Sequence, residues 1–188
     1  SQRLLTATWK LFNASLETGL TALIQAASEI YQAPVHYTNE LFQIRAMYPN
    51  RPTGDHDWDQ LYEQRHLPLD EVWKILDENL SGQEPFYRPF YADSGLCRDI
   101  PRLFGEVVRS KTVRGHVIVY LGGLPLQEDD LAIMDTLTEL LRQKADRRAG
   151  GMDNWTQALT TDLQLLLDPD SPQHLVSKAI HALSSALG

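Results

Sequence analysis

The run Gly115-His-Val117-Ile-Val119-Tyr-Leu121 constrains this chain more than any other stretch. A strand whose successive side chains are nearly all apolar is buried on both sides, which puts it at the centre of a sheet. Gly122-Gly123 ends it. The remaining elements must therefore supply flanking strands and a covering layer.

Flanking strands are legible on both sides of this run. Val35-His-Tyr37 and Phe42-Gln-Ile44-Arg-Ala46-Met-Tyr48 read as a hairpin. Thr38-Asn39-Glu40 forms the turn, and the alternation of Phe42, Ile44 and Ala46 sets the register. Phe86-Tyr87-Arg88-Pro89-Phe90-Tyr91 is an aromatic strand interrupted by proline, which argues for an edge or a bulge. Ile100 to Val108 alternates around Gly105 and turns at Arg109-Ser-Lys111 into the central strand.

Helical patterns cover the rest. Leu5, Trp9, Phe12, Leu16, Leu23 and Ile30 recur at helical spacing over residues 3–32. The pattern breaks near Asn13 and Gly19, so one helix and two helices joined by a bend fit equally, and Pro34 ends the stretch. A Pro/Gly loop over 49–57 precedes two short helices, one marked by Trp58, Leu61 and Tyr62, the other opening at Pro68 and carrying Val72, Trp73, Ile75, Leu76 and Leu80. Leu131, Met134, Leu137 and Leu141 give a long closing helix over 128–148 its apolar stripe. Beyond Gly150-Gly151, Trp155 to Leu166 and Leu175 to Leu187 suggest a helical tail. The expected class is α+β, a mainly antiparallel sheet with helices packed on one face, plus that tail.

Composition narrows the function. A net charge of −8 over 188 residues disfavours phosphate backbones, because nucleic-acid affinity rests on Lys and Arg displacing counterions. The cations at Arg142, Lys144, Arg147 and Arg148 suit the C-terminal dipole of the closing helix. No apolar run is long enough to span a bilayer. The single cysteine, Cys97, excludes an internal disulfide and fits the cytoplasm. Ser1 in place of Met, and an end just after a helical pattern, suggest a piece of a longer protein.

The block Val107 to Leu141 resembles the C-terminal half of GAF domains. There a strand ends in a basic turn, a Gly-led strand follows (here Gly115-His-Val-Ile-Val), and a Pro-Leu/acidic pair (here Pro125-Leu126 with Glu128-Asp129-Asp130) launches the closing helix. The order of elements over about 15–148 is similar to the N-terminal sensor region of PucR-like bacterial transcription regulators. The resemblance implies a GAF-like sensor domain at 1–148 and a helical linker at 149–188. That linker would lead to a helix-turn-helix that contacts DNA and lies outside this chain. It further implies a ligand-sensing, dimerising input domain for signal transduction, with no enzymatic activity.

Catalytic and metal motifs are weak. Asp55-His56-Asp57 has ligand-type side chains but sits in a loop where adjacent residues rarely converge on one ion. Cys97 would need a stabilised thiolate to react, and Ser94-Gly-Leu-Cys97 lacks a nucleophile elbow. No metal and no cofactor is expected. In the GAF fold a ligand enters between the sheet and the segment that follows the early hairpin. That segment is aromatic here, so the candidate ligand-binding residues are Trp58, Trp73, Tyr87, Arg88, Phe90, Tyr91 and His116. Arg88 or His116 would fix an anionic group of an unknown small-molecule effector. The competing reading of these rings is a filled core in a ligandless dimerisation or protein-interaction module. The exposed aromatics Trp9 and Phe12 predict a homodimer through the terminal helices.

Overall fold

A computed structural model describes residues 1–80 and 88–149. Tyr87, Phe86 and the helices expected after Gly151 lie outside the described residues. The chain divides into two compact units, Ser1–Arg142 and Gln143–Gly188. Among the described residues no helix is long and apolar enough to cross a membrane.

Two helices rather than one open the chain. α1 spans Gln2–Ser15, capped by Ser1, whose hydroxyl accepts from the Leu4 amide at 3.2 Å. Gly19, at φ 79°, lies in the break before α2, Thr21–Tyr31. α2 stops where Gln32 turns left-handed, two residues before Pro34. The strands β1 (Val35–Asn39) and β2 (Ile44–Tyr48) form the expected hairpin. Its turn differs in detail. The Asn39 carboxamide oxygen accepts from the amides of Leu41 and Gln43, and Phe42 sits at φ 58° in the turn instead of in a strand. A register shift skips Arg45, so Ile44 pairs with Thr38 and Ala46 with Tyr37. The simple alternation of Phe42, Ile44 and Ala46 therefore fails at this bulge.

α3 (His56–Gln64) and α4 (Leu69–Leu80) follow. After the aromatic segment come β3 (Phe90–Ala92), β4 (Arg102–Arg109), β5 (Thr112–Tyr120) and α5 (Asp130–Ala149). The sheet order is β2-β1-β5-β4-β3, and every pairing is antiparallel. β5 is the central strand, and β3, just after Pro89, is an edge. The β4–β5 turn places Ser110 and Lys111 at φ 50° and 62°, the twist that two-residue hairpins need.

One expectation needs correction: helices cover both faces of the sheet. Val117, Val119 and Leu103 join Leu11, Leu23, Ile24, Met134 and Leu137 in one core under α1, α2 and α5. Phe104 and Ile118 join Trp58, Leu61, Leu67 and Val72 in a second core under α3 and α4. A central strand apolar on both faces requires both layers. The first layer is closely seated. A Cβ on Gly105 of β4 would stand 2.5 Å from the Met134 sulfur of α5, so the strand and helix approach through the missing side chain. α1 is latched to the start of α5 by Arg3, which donates to the buried carboxylate of Asp130 at 2.7 Å. Ser1 also bonds Asp129.

Leu137 is fully buried in this layer, whereas Leu124 is 40% exposed. Leu137→Ala is expected to cost about 2–5 kcal/mol in urea unfolding, against about 0.5 kcal/mol or less for Leu124→Ala. Equal effects would mean that α5 does not carry the core.

Candidate functional site

The sheet face beneath α3 and α4 is ordered by strand register into three rows. At one end Ala92, Arg102 and Tyr120 stand side by side. The middle row is Phe90, Phe104, Ile118, His36 and Met47. At the far end lie Glu106, His116, Thr38 and Ile44. Period-two alternation sends these side chains to one face while their neighbours fill the core under α1, α2 and α5.

Polar groups are concentrated here. Among the described residues, the buried side-chain atoms without a hydrogen-bond partner are Arg3 Nη1, His36 Nδ1, Thr38 Oγ1, Arg102 Nε and Glu106 Oε2. Four of those five belong to this single face. Buried polar atoms in folded proteins are nearly always paired, so this face concentrates the exceptions. His36 Nε2 shares a 2.8 Å hydrogen bond with the Tyr120 hydroxyl, and the Arg102 guanidinium lies 5.0 Å from the Tyr120 ring centre. Trp58 packs edge-on against Tyr120 at 5.5 Å, and its indole N–H donates to the Pro49 carbonyl.

A cleft of about 140 Å³ opens over this face. Phe104, Ile118, Leu61, Leu67 and Val72 make its apolar walls, Arg102 and Tyr120 its polar side, and Asp57, Gln60, Gln64 and Glu71 its exposed rim. The α3 and α4 residues are held in place by their helix starts. The Asp55 side chain caps α3 by accepting from the Trp58 amide at 2.9 Å, and Asp59 accepts from the Thr53 and Gly54 amides. The acids around His56 thus organise the loop, while His56 itself is exposed. No cluster of three metal-type ligands occurs among the described residues.

The cleft lies between sheet and α3–α4, as expected, but among the described residues none of the sequence candidates lines it. Trp58, Phe90 and His116 share its face. Trp58 is buried against Tyr120, and Phe90 stacks on Phe104 at 4.8 Å. His116 is buried and stacked on Phe42 at 4.5 Å. Trp73 is 62% exposed, edge-on to Phe42. Tyr91 points to the opposite core, and Arg88 is exposed with its charge acting on Asp135 of α5. The structure brings in instead Arg102, Tyr120 and His36. The signal for them was polar residues at positions of one parity on three strands, His36 and Thr38, Arg102 and Glu106, His116 and Tyr120, interrupted by Phe104 and Ile118.

Titration follows burial. Burial pushes the Glu106 carboxyl up to about 7 and the His116 imidazole down to about 4. His36 falls to about 3 through burial first and the Arg102 charge second. Cys97 is buried, and burial raises its thiol.

No protein-family model and no curated protein matches the sequence. Among solved structures, the chain is similar to one described as the cofactor-binding GAF domain of the nutrient sensor CodY from Clostridium difficile. The TM-score is 0.48 at 10% identity, covering 67% of this chain and 83% of that chain.

Glu106 yields a pH test. Its folded state holds the proton more tightly than the unfolded chain, whose ordinary value is 4.5, so its effect on stability worsens as pH rises from about 4.5 to 7 and is level above that. The two histidines act oppositely, losing stability as pH falls below 6.5. Comparing wild type with Glu106→Gln cancels their contribution. The variant's relative stability should climb by on the order of 3 kcal/mol across that window. A pH-independent difference would show that Glu106 is solvated.

Proposed function

We propose that this chain is the ligand-sensing, dimerising input domain of a PucR-like bacterial transcription regulator. In this reading residues 1–148 form a GAF-like sensor that takes a small-molecule effector in the cleft between the sheet and α3–α4. Residues 149–188 serve as a linker toward a DNA-binding output that is not in this chain. The observation that supports it most is the cleft itself, where Arg102, whose buried Nε has no hydrogen-bond partner, and Tyr120 stand beside the apolar wall of Leu61, Val72, Phe104 and Ile118. An apolar enclosure with a few convergent polar groups is the usual form of a small-molecule site. The domain acts as a binding module, not an enzyme, in the cytoplasm. Trp58, Phe90 and His116 back the site from the same face, and Arg102 takes the anion-fixing role expected of Arg88 or His116.

Effector binding would shift the balance between two dimer arrangements. The partner is a second copy, meeting α1 along Leu5, Trp9, Phe12 and Leu16, which are 66%, 65%, 46% and 63% exposed. The stripe is uncharged, so a twofold axis can set it against itself without like-charge repulsion. Its burial contributes about 25 cal/mol per Å². The same stripe favours the second reading, a dimerisation module without ligand.

Two measurements separate these readings. In a thermal-shift screen against a metabolite library, a compound at a hundred times its Kd should stabilise by about 2.7 kcal/mol. Val72→Phe, which fills the cleft wall, should lose that shift while keeping its own cooperative melt. A hit that binds the variant equally would move the site elsewhere. In sedimentation, the wild type should be dimeric at micromolar concentration and Trp9→Glu with Phe12→Glu monomeric. A monomeric wild type, or a dimeric variant, would remove α1 from the interface.

A further inference from the structure

The geometry of the cleft points to its ligand class: we propose a small monocarboxylate on a compact apolar body, its carboxylate received by Arg102. This rests on the reading that the cleft is the effector site.

Among the described residues lining the cleft, Arg102 is the only cation. It is half-buried, its Nε is buried without a hydrogen-bond partner, and no carboxylate among the described residues pairs with it. Its charge lies over the Tyr120 ring and beside the His36–Tyr120 hydrogen bond, with Cys97 nearby, and the cleft carboxylates Asp57 and Glu71 make no ion pair with it. A partly desolvated guanidinium is costly unless an anion meets it. Its planar fork matches a carboxylate in two parallel hydrogen bonds.

Size and walls define the rest of the molecule. The cleft, about 140 Å³, is close to the size of cavity that holds a single benzene, so the ligand body is of that order. Leu61, Val72, Phe104 and Ile118 offer that body an apolar wall, while Gln60, Gln64 and Tyr120 line the remainder. The mouth carries two exposed carboxylates, Asp57 and Glu71. A second anionic group would project toward them and be repelled. A phosphate ester, with nearly twice the charge, is disfavoured on the same ground, and a nucleotide is too large.

The test is isothermal titration of the full chain with benzoate and with benzamide, its uncharged isostere. Benzoate is expected to bind about tenfold or more tightly than benzamide, as a charge-assisted pair implies. Phthalate, with a second carboxylate, should bind more weakly than benzoate. Arg102→Gln should bring benzoate down to the level of benzamide. The wild-type comparison needs no variant, so misfolding of Arg102→Gln would leave the proposal exposed to refutation. Equal binding of benzoate and benzamide to the wild type overturns the ligand class while leaving the cleft as the site. Binding of neither overturns the class as well, and the library screen on Val72→Phe decides whether the cleft reading falls with it.

Discussion

The structure depends on the burial of both faces of β5. Val117 and Val119 are fully buried on one side, and Ile118 is nearly so on the other. Neither face can be left to water without exposing a row of β-branched side chains at the centre of the sheet. One face is closed by α1, α2 and α5, with Gly105 allowing α5 to lie directly on β4. The other is closed by α3 and α4, and that closure is incomplete.

The two faces differ in what they bury. On the α1–α2–α5 side the buried polar side chains Ser15, Ser28, Asp130 and Thr138 are hydrogen-bonded, whereas on the α3–α4 side Arg102, His36, Thr38 and Glu106 each keep a buried atom without a partner. Unpaired polar atoms destabilise a core by about 1–3 kcal/mol each. A domain built only to scaffold a dimer would have no physical reason to carry several on one face. Of these, Arg102 lines the cleft, and His36 is joined to it through the Tyr120 hydroxyl. β4 joins the two regions, since Arg102 and Phe104 face the cleft while Leu103 and Gly105 face α5.

Much of this was legible from residue order. The apolar run at 115–121 placed the central strand, Pro89 placed the edge, and Gly19 with Pro34 bounded the opening helices. What was missed arose from pairing across strands. The face occupied by Tyr91 or Phe90 depends on β3 pairing with β4, which adjacency in sequence does not reveal. Aromatic density drew the candidate site toward Trp73 and Tyr91, although aromatics serve as core filler more often than as ligand contacts. Arg102 and Tyr120 escaped notice because each looked like the polar end of an apolar strand. Their neighbourhood exists only once β4 and β5 are in register.

The central claim is that the α3–α4 face of the sheet is where this domain meets a small molecule. Methyl-resolved NMR of the Ile-, Leu- and Val-labelled chain, titrated with a mixture of small organic fragments, addresses it directly. Shifts confined to Leu61, Leu67, Val72 and Ile118, with Leu11 and Leu137 unmoved, are the predicted result. Shifts spread over α1 and α5, or a silent cleft, would contradict it.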